Sequence, residues 1–116
     1  MFTIQFTGAE GRLLQEELLT SGMVGKKVRL QFDGFWEDLR KTVVFNAGGV
    51  TRTVEIPAED IYMTGIDVTI PPEVLIGGHR LFVGVYGYYS NMDEATPSVM
   101  VRGPRIRHGA EPLGEN

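Results

Sequence analysis

The sequence predicts an all-β domain, a β-sandwich of immunoglobulin-like or jelly-roll-like type or a partly open barrel, of about seven short strands. Three observations carry this. Apolar residues alternate with polar ones in several runs of five to seven residues, the period of a half-buried strand. Turn formers rich in Gly, Pro, Asn and Asp separate those runs. There is no internal repeat, low-complexity tract or coiled-coil heptad to suggest another architecture. The 116 residues suit one domain, with 1–107 as the sandwich and 108–116 as a polar tail.

The first strand is MFTIQF, where Phe2, Ile4 and Phe6 alternate with Thr3 and Gln5. In the following GAEGRLLQEELLTSG, Leu14 and Leu18 lie four apart and predict a short helix, with an edge strand or a loop as the alternatives. KKVRLQF is the clearest strand, with Val28, Leu30 and Phe32 on one face. Asp33-Gly34 turns the chain into a connection holding Phe35, Trp36 and Leu39. Trp36, the only tryptophan, is expected to cap one end of the core, with ligand stacking as its functional rival.

KTVVFNAGGVTRTVEIP reads as a β-hairpin, with arms Thr42 to Phe45 and Val50 to Ile56 around an Asn-Ala-Gly-Gly turn. Arg52 interrupts an apolar row and is therefore expected near an edge, where its head reaches water. A strand over Ile66 to Ile70 is stopped by Pro71-Pro72, and PEVLI is expected to form one helical turn. Ser98 to Ile106 supplies the last strand, interrupted at Gly103-Pro104.

Between them lies LFVGVYGYYS, Leu81 to Ser90, without a charged residue. Alternation puts Leu81, Val83, Val85, Gly87 and Tyr89 on one face and Phe82, Gly84, Tyr86 and Tyr88 on the other. Bulky side chains on both faces predict a central strand covered on both sides, either within the domain or by a neighbour. Core packing is the first reading for Phe82 and Tyr86. Tyr86 to Met92 is the contact region expected of the strand's end, because tyrosine suits surfaces that are part apolar and part wet. The interface candidates are thus Tyr86, Tyr88, Tyr89, Met92 and Trp36.

No residue pattern points to catalysis. His79 and His108 are isolated, and neither sits in a metal-binding spacing. The pairs Glu16-Glu17, Glu37-Asp38 and Asp93-Glu94 read as surface charge, not as an acid–base couple. TSGMVGKK has Thr20 where a phosphate loop needs glycine and lacks the Ser or Thr after its lysine. No cysteine is present for a thiolate site. Catalytic, cofactor-binding and metal residues are therefore none, and no cofactor is expected. A net charge of -4 argues against nonspecific nucleic-acid binding, and Lys26, Lys27, Arg29, Arg40 and Lys41 read as solvated positions. No run reaches the roughly 18 apolar residues of a membrane span, and the N-terminus lacks the regions of a signal peptide.

The order of KTVVFNAGG, a Thr51-Arg52 strand, IPPEVLIGGHRLFVGVYG and the terminal IRHGAEPLGEN resembles a small all-β structural module of tail, baseplate and neck-associated proteins from phages and prophages of Gram-positive bacteria. The resemblance runs from Val24 to Gly114 and includes the Trp36 loop. It implies a non-enzymatic structural or adaptor protein of a virion, made in the host cytoplasm. It also implies contacts with other virion proteins and a homo-oligomeric ring or trimer. The alternative is a carbohydrate-binding module recognising a host surface glycan. That would need Tyr88, Tyr89 or Trp36 as a stacking platform, bordered by Asn91 and Asp93.

Overall fold

Among the described residues the alternating apolar rows fold into ten strands in two sheets that enclose one core. The computed structural model describes residues 1–60, 64–89 and 94–110. The strands are β1 (Phe2–Thr7), β2 (Glu10–Gln15), β3 (Leu19–Thr20), β4 (Lys27–Phe32), β5 (Arg40–Ala47), β6 (Val50–Glu55), β7 (Gly65–Thr69), β8 (Arg80–Tyr88), β9 (Ala95–Pro97) and β10 (Val101–Arg107). One sheet has the order β2-β1-β4-β7. The other runs β3-β10-β8-β5-β6, with β9 also paired to β8. One sheet is a curled, partly closed half-barrel, and the second is open.

The first sheet contributes Phe2, Ile4, Phe6, Val28, Leu30 and Phe32 to the core, because β1 and β4 pair in parallel with these residues in register. The second contributes Val43, Phe45, Leu81, Val83, Val101 and Ile106. Phe6 and Phe32 stack 5.7 Å apart, and Trp36 meets Phe6 edge-on at 6.3 Å. Trp36 has no exposed surface, and its indole N–H donates to Gly8 O at 2.7 Å. It caps this end of the core, as its place in the sequence predicts.

The hairpin of β5 and β6 closes on Gly48-Gly49, both with positive φ (56° and 83°). Such values suit the two-residue turns whose twist matches the strands. Arg52 is exposed on β6, the last strand of its sheet, as expected of a charge in an apolar row. Pro72 opens a 3-10 turn, Pro72–Val74. At Gly103-Pro104 the pairing of β10 with β8 shifts register, so the proline breaks the ladder without ending the strand.

The expected helix after β1 does not form; the edge-strand alternative does. Leu14 and Leu18 remain exposed, so their spacing of four packs against nothing. Pairing with β1 instead satisfies the backbone, and a Cβ on Gly11 would collide with Val101 of β10. The edge strand β2 and the short β3 and β9 account for the excess over the seven strands expected.

The basic and acidic positions also depart in part from a uniformly solvated reading. Lys41 lies on the inward row of β5 and is buried, its Nζ donating to Leu39 O at 2.9 Å. Burial lowers its pKa, opposed by the charge of Asp38. Glu17 is partly buried, and it pairs with the Lys26 ammonium and with the Met1 ammonium, the latter at 3.1 Å. The polar tail begins docked, since Gly109 N–H donates to Ser21 Oγ at 2.8 Å. Residues 111–116 lie outside the described part.

Candidate functional site

Strand β8 is central, hydrogen-bonded to β5 on one side and to β10 and β9 in succession on the other. Its inward row is closed: Leu81, Val83, Val85 and Gly87 are all buried. Its outward row is not. Phe82 and Tyr88 are half-buried, and Tyr86 is 37% exposed. The reading of Phe82 and Tyr86 as core residues is therefore corrected, and of the two faces the domain itself closes only the inward one. Apolar character on two faces identified a central strand, but the β2-β1-β4-β7 sheet covers it on one side only.

The two glycines of this strand have opposite jobs. A Cβ on Gly87 would stand 2.9 Å from Trp36 Cζ3 and 3.1 Å from Leu39 Cδ1, so the missing side chain makes room for the core. A Cβ on Gly84 would stand 2.5 Å from Met100 Sδ, on the outward face. There the chain between β9 and β10 crosses over the strand, anchored by Ser98 N–H to Val85 O at 2.7 Å and by Val85 N–H to Ser98 Oγ at 2.8 Å. Met100 is thereby held against the outward face while remaining exposed.

Register extends this surface across three strands. Tyr86 lies opposite Thr42, Gly84 opposite Val44 and Phe82 opposite Asn46. Those in turn oppose Glu55, Thr53 and Thr51 of β6. The Tyr86 and Tyr88 rings lie 5.1 Å apart with a 45° tilt. The result is an aromatic and methionine strip beside a threonine-rich field, apolar area bordered by hydroxyls. Such amphipathic surfaces suit contact with another macromolecule. At its end, Arg40, Lys41, Thr42, Glu55, Ile56, Pro57 and Tyr88 line a hollow of about 440 Å³.

Of the five sequence-predicted contact residues, Tyr86 and Tyr88 share this face. Tyr89 is exposed just beyond the strand, its N–H bonded to Glu94 O at 3.2 Å. Trp36 is buried and offers no contact surface. Met92 lies outside the described residues, as do Asn91 and Asp93 of the sugar-binding alternative. Met100 and the Thr42 to Asn46 row were missed. The alternation of Thr42 and Asn46 against Val43 and Phe45 marked their face, but the pairing partner was not readable.

Chemistry-bearing groups do not converge. Among the described residues no three His, Asp or Glu side chains could hold a metal ion. His79 and His108 are exposed beside the glycines of the β5–β6 turn and of Gly77-Gly78 respectively. Asp33, next to a turn glycine, caps the 3-10 turn Gly34–Trp36 through Phe35 N–H at 3.2 Å and accepts from Gly8 N–H at 3.0 Å. Among the described residues no helix is long and apolar enough to cross a membrane. No family model and no curated protein matches the chain in sequence. The fold and the open face fit a protein–protein interaction module.

Proposed function

We propose that this chain is a non-enzymatic structural or adaptor protein, working by protein–protein contact through the open face of its six-stranded sheet. The observation that carries this reading is the Tyr86–Tyr88 pair, joined by Met100, on the sheet face turned away from the β2-β1-β4-β7 layer. The setting is a phage virion, as the sequence resemblance to tail and baseplate modules implies. There the face meets other virion proteins or further copies of the chain in a ring or trimer. Of the rings that the carbohydrate platform would use, Trp36 is buried.

Absolute mass by light scattering across a concentration series tests the reading, with wild type set against Tyr86→Ser/Tyr88→Ser. A discrete closed oligomer that the double variant dissociates, with its thermal midpoint kept, is the expected result. A monomer retained on an array of cell-wall glycans, and released by Tyr88→Ala, would replace the proposal with the sugar-binding alternative.

A further inference from the structure

The outward face of the six-stranded sheet changes character along its strands. Its Tyr86–Tyr88 end is aromatic, and its other end is cationic. In β10, Val101 and Ile106 turn inward, while Arg102, Arg105 and Arg107 turn outward and are exposed. Gly103 and Pro104 together face the single residue Leu81, so the row resumes on the same side at Arg105. Arg102 lies opposite Phe82, and Arg105 lies directly opposite Arg80 on the outward row of β8. Arg107 lies beside Thr20 of β3.

Four arginines thus share one end of the face, and no described carboxylate neutralises them. Among the described residues the ion pairs involve Glu17 and Asp67, and none includes these arginines. Arg80 turns its Nη1 to Gly103 O at 2.9 Å. Along the outward rows of β6, β5, β8 and β10 the one described carboxylate is Glu55, opposite Thr42 at the tyrosine end. Arg80 and Tyr86, on the same strand, are about 20 Å apart at the rise of an extended chain. Like charges directly opposite one another destabilise a sheet, and Arg80 against Arg105 is such a pair. The chain as a whole carries a net charge of -4. A positive row on a negative protein draws anions to that row while the rest of the surface repels them.

We infer that this arginine row docks an acidic segment of a partner protein, extended and carrying Asp or Glu at every second residue. The inference rests on the reading that the outward face makes protein contacts, and it specifies the partner's chemistry at the end away from the tyrosines. Every cation of the row is arginine, whose planar fork binds a carboxylate through two parallel hydrogen bonds. Arg105 and Arg107 stand about 7 Å apart along β10, the same step as alternate side chains of an extended partner. Phe82, half-buried between Arg102 and Asn46, offers the segment an apolar contact beside its charges. A short row on an acidic protein suits a few carboxylates and disfavours a long polyanion such as nucleic acid. Complementary charge at this end also fixes how a partner is oriented on the face.

The probe is a synthetic peptide of alternating glutamate and threonine, titrated into the full chain and followed by NMR. Its comparators are the glutamine counterpart, a peptide of the same composition with contiguous glutamates, and a single-stranded oligothymidylate. The alternating peptide should bind at least about tenfold more tightly than the glutamine peptide. It should shift the Nε–H signals of Arg102, Arg105 and Arg107, and its affinity should fall as added salt screens the surface. Arg105→Gln/Arg107→Gln should remove the binding and keep the thermal midpoint, because both side chains are exposed. Arg105→Lys/Arg107→Lys keeps the charge but not the fork, and should bind more weakly than wild type. Equal affinity for the glutamate and glutamine peptides, or for the alternating and contiguous ones, overturns the assignment. So does wild-type affinity in the lysine variant, or tighter binding of the oligothymidylate. A tenfold gain on Glu111→Gln/Glu115→Gln, about the loss of a competing contact, would also overturn it by making the chain's own tail the occupant. The tyrosine strip is judged separately. An oligomer that Tyr86→Ser/Tyr88→Ser dissociates, without peptide binding, sinks the arginine assignment alone. Peptide binding without any tyrosine-dependent contact upholds it and sinks the other.

Discussion

The two faces of β8 are built from similar residues and have different fates. Inward, Leu81, Val83 and Val85 are at most 2% exposed, and Gly87 is filled by Trp36. Outward, Phe82, Tyr86 and Tyr88 keep accessible surface, and Gly84 is filled by the flexible end of Met100. Residue type alone therefore does not decide burial. What decides it is whether another layer lies within reach, and here that layer is the β2-β1-β4-β7 sheet. A central strand can thus be fully hydrogen-bonded along both edges and still present one face for contact.

Substitutions on the two faces sharpen this contrast. The largest effect belongs to Trp36→Ala, which empties the space around Gly87 and removes the bond to Gly8 O. It should cost about 3–5 kcal/mol in denaturant unfolding; a loss as small as a surface substitution's would show that the indole is not part of the core. Gly87→Ala should cost about 1–3 kcal/mol, because two rigidly packed neighbours must shift. Gly84→Ala should cost less than about 1 kcal/mol, since an exposed methionine side chain can swing away. Equal costs for the two glycines would abolish the distinction between the faces. Phe82→Ala should lose about 1 kcal/mol, in keeping with half-burial and well below the 3–5 kcal/mol that a core position implies.

The smallest effect concerns acid. Burial raises the pKa of Glu17, but hydrogen bonds and charge from Lys26 and the Met1 ammonium outweigh it and leave the pKa lowered. A carboxyl depressed by folding contributes its stability in full above its unfolded pKa and loses it as pH falls through the folded value. Stability should therefore decline across the acidic side of the carboxylate range. Glu17→Gln should flatten that limb of a pH-dependent melting series, and an unchanged limb would assign the acid sensitivity to other groups, such as Asp67 beside Arg29.

Much of this architecture was legible because period-two alternation is a direct record of the pleat. The row Val28, Leu30, Phe32, the Gly-Gly hairpin, the stop at Pro71-Pro72 and the capping Trp36 all follow from local rules. The partners in space were not legible. β2 was read as a helix because two leucines four apart fit that period, while the waiting edge of β1 leaves no local mark. Tyr86 carried both a core and a contact reading because alternation gives which residues share a face, and nothing local says which face meets the β2-β1-β4-β7 sheet. Met100 reached the contact surface through a crossing anchored at Ser98, 14 residues from the Gly84 it covers in the middle of a different element. Lys41 looked like one of five surface cations until its place on the inward row of β5 was known.

The parallel pairing of β3 with β10 carries a consequence for how the chain reaches this state. Leu19 is aligned with Ile106, and Ser21 accepts from Gly109, so an early segment is completed by one of the last. During synthesis, the β5–β6 hairpin can close as soon as its residues emerge, but the edge strand β3 must wait for β10. Until then Leu19 lacks its neighbour Ile106 and is open to unintended association. Contacts so distant in sequence make assembly slow, on the millisecond-to-second scale of sandwich proteins. The seam between β3 and β10 is thus the last of this sheet to close, although β3 is among the first strands made.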